Sequence, residues 1–208
     1  MKWGAIFLVL VLFTAGCVNQ AEQKSFDETK KENGGVFLEG KNILMVIAPN
    51  NFRDEELMEP KEIFEDAGAL VTIASKGTNS AKGMLGAIVT VDKDISEVKA
   101  EDYDAVVFVG GSGASVYFNN KTAQNLAIEA YESGKIVAAI CIAPSTLANA
   151  GILEGKRATA FSSEKKNLEN HGAVYTGKNV EADGNIITAN GPDAAAEFGQ
   201  AIAKSLKG

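Results

Sequence analysis

Several absences in this chain of 208 residues narrow its chemistry before any motif is considered. It has no cluster of basic residues: Lys30-Lys31 and Lys165-Lys166 are isolated pairs in a chain of net charge -7. A surface that neutralises phosphates needs grouped Lys and Arg, so the charge pattern argues against nucleic acid as a partner. Histidine occurs once, as His171, and cysteine twice, as Cys17 and Cys141. That supply makes no zinc set of recognisable spacing, and no metal or other cofactor is implied. Gly110-Gly111-Ser112-Gly113 lacks both the dinucleotide fingerprint and the lysine of a phosphate-binding loop. No apolar run reaches the roughly 20 residues that a membrane-spanning helix requires.

What is present begins with an N-terminal segment unlike the rest. Lys2 precedes an apolar stretch from Trp3 to Phe13, followed by Thr14-Ala15-Gly16-Cys17. A basic start, a short apolar core and small residues at its end make a secretory signal. Ala-Gly-Cys resembles the end of a lipobox, in which Cys17 would carry lipid. Residues 1–17 are therefore expected to be a lipoprotein-like signal that exports the chain and anchors it on the extracytoplasmic side of a membrane. Residues 18–40, rich in Asn, Gln, Glu, Lys and Ser and broken at Asn33-Gly34-Gly35, are expected to be a polar tether. If Cys17 is lipidated, Cys141 is the sole thiol of the folded part, and no internal disulfide can form.

From Lys41 to Gly208 the pattern alternates between strand and helix, within the length of one domain. Ile43 to Ala48, Ala105 to Val109 and Ile136 to Ile140 are continuous apolar runs, as expected of strands covered on both faces. Leu70 to Ala74, Ala87 to Val91 and Ile186 to Ala189 are further strands. Helices are expected from Asp54 to about Gly68, from Thr122 to Ser133, from Pro144 to Ala150 and after Gly191-Pro192, with Asp54 as a cap and Pro60 as a kink or first turn. The pattern implies an α/β fold with a mainly parallel sheet wrapped on both sides. Ligand sites in such sheets gather beyond the carboxyl ends of the strands, where Pro49 to Glu56, the glycines after Val109, and Cys141 all fall.

Cys141 stands at an abrupt strand-to-helix change, Ala138-Ala139-Ile140-Cys141-Ile142-Ala143-Pro144. A nucleophile on such an elbow projects above the sheet near a helix N-terminus, which favours a thiolate. A single cysteine in an apolar stretch is otherwise an inert core residue. Four ordered motifs tip the balance. Ile140 to Pro144 with Leu147 to Thr159 resembles the cysteine elbow of the PfpI (ThiJ/PfpI) family, which includes deglycases and archaeal intracellular proteases. Asn51 to Leu57 with Pro60 resembles its acidic segment, Val107 to Gly111 its Gly-Gly turn, and Ile187 to Pro192 with Glu197-Phe198 its closing strand and helix.

The resemblance implies a flavodoxin-like three-layer sandwich (class I glutamine amidotransferase-like) and a homodimer. By position it makes Cys141 the reactive cysteine and Glu56, four residues before Pro60, the carboxylate that contacts it. The amides of Gly111 and Ile142, beside Gly110, become the oxyanion donors. The alternative for Glu56 is a solvated acidic helix face shared with Glu55 and Glu59. The departures are Ile142, where the proteases carry His after the cysteine, and Phe161, where a deglycase carries His. His171 falls between Asn170 and Gly172 in an expected surface loop. No Cys-His pair is therefore visible. Three functions remain open: a glyoxalase- or deglycase-like enzyme acting on a small carbonyl substrate or a modified protein; a redox-sensing or stress-protective protein using a low-pKa exposed Cys141; and, ranked last for want of His, a cysteine hydrolase or peptidase.

Overall fold

The computed structural model describes residues 37–207. Residues 1–17, with Cys17, and most of the expected tether lie outside them. The last residues assigned to the tether differ from expectation. Leu38 is buried in the core and its N–H donates to Ala67 O at 2.6 Å, so the chain docks before Lys41.

The elements run in this order: β1 (Asn42–Val46), β2 (Asn50–Phe52), α1 (Asp54–Asp66), β3 (Leu70–Ser75), β4 (Ser80–Gly83), β5 (Ile88–Thr90), β6 (Lys93–Asp94), β7 (Ala105–Phe108), α2 (Lys121–Glu132), β8 (Ile136–Ile140), α3 (Pro144–Asn149), β9 (Arg157–Ala158), α4 (Lys165–Asn170), β10 (Val174–Tyr175), β11 (Val180–Asp183), β12 (Ile186–Ala189) and α5 (Ala195–Leu206). Seven strands form the central sheet in the order β11-β12-β8-β7-β1-β3-β6. Every pair is parallel except β11 with β12, an antiparallel edge.

Alternation along β1 divides the core into two layers. Ile43 and Met45 face Phe64 of α1 and Phe198 and Ile202 of α5. Leu44 and Val46 face Leu126 of α2, Leu147 of α3 and Leu168 of α4. Both faces of the central strands are covered, so their sequences are apolar at every position rather than at alternate ones. The result is the mainly parallel α/β sheet that the pattern implied, in the flavodoxin-like sandwich that the resemblance implied. A smaller sheet, β2-β4-β5, and a two-stranded pair, β9 with β10, flank it.

Helix α1 differs from expectation in how it begins and how it takes Pro60. Arg53, not Asp54, occupies the N-cap position. The Asp54 carboxylate instead accepts from Leu85 N and Ala87 N, both at 2.8 Å, and so fixes the turn between β4 and β5. Pro60 sits inside the helix, buried. It has no N–H to return to the carbonyl of Glu56 four residues earlier. Helix α2 follows its sequence signal closely: Asn120 caps it by accepting from Ala123 N at 3.0 Å, and Ala123, Leu126, Ala127 and Ala130 are buried.

Candidate active site

Strand β8 stops at Ile140, and Cys141 takes φ +63, one of two non-glycine residues among those described in the left-handed region. Such a backbone is disfavoured for a side chain bearing a β-carbon, and its surroundings must hold it. Two hydrogen bonds do so. Cys141 N–H donates to Ala189 O at 2.9 Å, and Cys141 O accepts from Phe161 N–H at 2.8 Å. The elbow is thus tied to the end of β12 on one side and to the loop after β9 on the other.

Glu56, on the first turn of α1, is completely buried, which removes the alternative of a solvated acidic face. Neither carboxyl oxygen has a hydrogen bond of good geometry; the groups that bear on it are the Cys141 thiol and the Gly110 N–H. Gly110 leaves the room for this approach. A β-carbon on it would collide with Glu56 Oε2, Cys141 Cβ and Ile140 O. Gly111 is held at φ +90 against strand β2, where a β-carbon would strike Arg53 N and Asn51 O. Its N–H and that of Ile142 both act on the Cys141 sulfur. The five positions assigned from the sequence, Cys141, Glu56, Gly110, Gly111 and Ile142, therefore converge at one point above the carboxyl ends of β7 and β8.

The protonation of the pair differs from the sequence expectation of an exposed, low-pKa thiol. Burial, followed by the charge of Glu56, pushes Cys141 up to about 12 against the opposing pull of the Gly111 and Ile142 amides. The helix that follows, α3, has only six residues, and its dipole is correspondingly small. Burial also raises Glu56 to about 7. Two acids in contact and out of water cannot readily both ionise, so above neutral pH the pair retains one proton, held on sulfur at rest. Glu56 is then a carboxylate beside a thiol, poised to take its proton.

Arg53 was not singled out by the sequence reading. Its guanidinium clamps Glu55 through Nε and Nη2 at 2.8 and 3.0 Å, and its charge is felt by Glu56 and Cys141. Its place ahead of an acidic run gave no sign of this. His171 is exposed in the turn that closes α4, as expected of a surface-loop histidine, with Nδ1 2.9 Å from Asn167 O. Among the described residues, no group of three or more His, Cys, Asp or Glu is arranged to hold a metal ion.

The sequence model of the DJ-1/PfpI family matches residues 41–205. The chain belongs to the DJ-1/PfpI family. Its relatives include an uncharacterized protein of Methanocaldococcus jannaschii, 40% identical over 99% of this chain and 97% of that protein. A protein of Thermococcus kodakarensis named a deglycase is 30% identical over 72% of this chain and 90% of its own length. Among solved structures, a ThiJ/PfpI domain protein from Brachyspira murdochii superposes with a TM-score of 0.79 at 39% identity, covering 81% of this chain and 97% of that one. This DJ-1/PfpI chain thus combines an elbow cysteine and a buried glutamate with Ile142 and Phe161 at the two positions noted above for their lack of histidine.

Proposed function

We propose that this protein is a cysteine-dependent enzyme that acts on small reactive carbonyl compounds or on their adducts with proteins. Family membership and deglycase-named relatives support a deglycase-like or stress-protective role. The observation that carries the enzymatic reading is the Glu56 carboxyl, raised to about 7 and set against the Cys141 thiol. A base near operating pH removes the need for histidine.

With an α-oxoaldehyde, Glu56 takes the thiol proton as sulfur bonds to the aldehyde carbon, giving a hemithioacetal. The Gly111 and Ile142 amides are placed to hold the developing oxyanion. Glu56 returns the thiol proton to that oxygen and, a carboxylate again, carries the hydrogen of the same carbon, as a proton, to the neighbouring carbonyl carbon, while the hydroxyl proton passes to the neighbouring oxygen. This leaves a thioester, which water cleaves to a 2-hydroxy acid and free thiol. No external oxidant or reductant enters. On a protein adduct the same sulfur attack would release the amine. The test is methylglyoxal consumption by purified protein beside Cys141→Ser; equal rates would sink the reading.

The second reading is reversible oxidation of Cys141. The two amides that face the sulfur could equally receive oxygens bound to it. Peptide mass spectrometry after mild peroxide tests it: no selective oxidation at Cys141 would count against it. Export by residues 1–17, lipid on Cys17 and a homodimer belong to the same proposal. Exposed Met84, Leu85 and Ile88 at the β4–β5 hairpin support a self-association surface. Detergent partitioning of the full chain beside Cys17→Ser, and sedimentation of Leu85→Glu, test these two points.

A further inference from the structure

The two backbone hydrogen bonds that hold Cys141 also carry its neighbourhood into an open cleft. Cys141 N–H reaches Ala189, the last residue of β12, from which Asn190-Gly191-Pro192 continues; Cys141 O receives Phe161 N–H. These two segments face each other across a cleft of about 360 Å³ whose lining includes Phe161, Ser162, Tyr175, Asn190, Pro192 and Asp193. The walls lie close enough that a β-carbon added to Gly191 would meet Phe161 Cδ2 at 3.7 Å. Tyr175 is fixed there by its hydroxyl, which donates to Ala160 O at 3.0 Å.

Phe161 is 46% exposed. An isolated exposed phenylalanine needs no explanation. This one is pinned by its own N–H to the peptide of the candidate nucleophile and opens onto a cleft of ligand size with two ring-bearing side chains, a proline and a few polar groups. On the acid side of Cys141, by contrast, Gly110 and Gly111 are packed without room for a methyl group.

We propose that this cleft is the subsite for the non-reacting substituent of the substrate, and that Phe161 makes it prefer a flat aromatic or apolar group beside the carbonyl attacked by Cys141. The proposal rests on the carbonyl-directed reading above and names the substrate class that the reading leaves open. The substituent contributes binding and orientation and undergoes no bond change. Its ring stacks on Phe161, while Asn190 and Ser162 remain at the polar rim.

Two readouts test it. In turnover, phenylglyoxal is expected to exceed methylglyoxal in kcat/KM by about tenfold or more, a size usual for burying one apolar group in a pocket. Phe161→Ala is expected to abolish that preference while Phe161→Leu keeps most of it. No preference in the native protein, or the same preference in Phe161→Ala, overturns the proposal. The second readout needs no catalysis. Acetophenone, an inert aryl ketone, is expected to slow iodoacetamide labelling of Cys141 at pH 9, followed on its own peptide, whereas acetone is not. The protection is expected to vanish in Phe161→Ala. If neither aldehyde is consumed faster than by Cys141→Ser, the enzymatic reading fails; Phe161-dependent protection would still support the subsite, and absent protection would overturn it as well.

Discussion

The two sides of Cys141 are built to different tolerances. On the acid side, Glu56 is fully buried, Gly110 and Gly111 admit no β-carbon, and the sulfur meets two backbone amides. On the other side, Phe161 is half exposed over an open cleft. Close packing makes geometry fixed and unforgiving, which suits proton transfer between two atoms. An open wall tolerates substitution and suits discrimination among substituents. Substitutions on the acid side should therefore damage folding or chemistry outright, and those on the cleft side should redirect it.

The largest expected effect is that of Glu56→Gln. Removing the base should lower turnover by about 10²–10⁴-fold, the usual contribution of a positioned general base. Stability should move the opposite way. The folded pKa of Glu56 is raised to about 7, so burial of its neutral form costs least below the unfolded value of 4.5, and stability is lost as pH rises through about 7. Glu56→Gln should thus be more stable than the native protein at pH 8, by up to about 3 kcal/mol, with the gain shrinking towards pH 4. Thermal unfolding across that range checks it. The native rate should rise through about pH 7, as Glu56 becomes a carboxylate.

Next in size is Gly110→Ala, whose methyl group would strike Glu56, Cys141 and the Ile140 carbonyl. Overpacking of this kind costs about 1–3 kcal/mol, and the displaced carboxyl should take most of the activity with it. Denaturant unfolding and turnover together would separate the two losses. Asp54→Ala should cost about 1–2 kcal/mol by leaving the Leu85 and Ala87 amides without their acceptor, and it should raise amide exchange at the β4–β5 turn. On the cleft side, Phe161→Ala should change stability by no more than about 0.5 kcal/mol while it alters substrate preference. His171→Ala, at the exposed end of α4, should change neither.

The sequence disclosed the acid side better than the cleft side, for physical reasons. Uniformly apolar runs such as Ile136 to Ile140 mark strands covered on both faces, and the abrupt stop at Cys141 marks the elbow. Glu56 and the Gly110-Gly111 pair were placed by motif, not by periodicity, because an acidic run on a helix looks the same whether solvated or buried. The thiol's resistance to ionisation was not legible. It depends on how much protein surrounds the sulfur, which no local pattern encodes. Strands β6, β9 and β10 escaped notice because two residues cannot display a period. Leu38 was hidden in a polar context, and its burial follows only from contact with the end of α1. The cleft was invisible for a similar reason, since Phe161, Tyr175 and Asn190 are brought together only by the folded chain.

The shared proton between Glu56 and Cys141 is tested most directly by the pH profile of Cys141 alkylation, followed on its own peptide, in the native protein and in Glu56→Gln. Removal of the carboxylate charge should bring the thiol's apparent pKa down from about 12, so that Glu56→Gln is alkylated faster at pH 8 even as turnover disappears. A native Cys141 that titrates below the ordinary thiol range, with a pKa unchanged or raised in Glu56→Gln, would contradict the account.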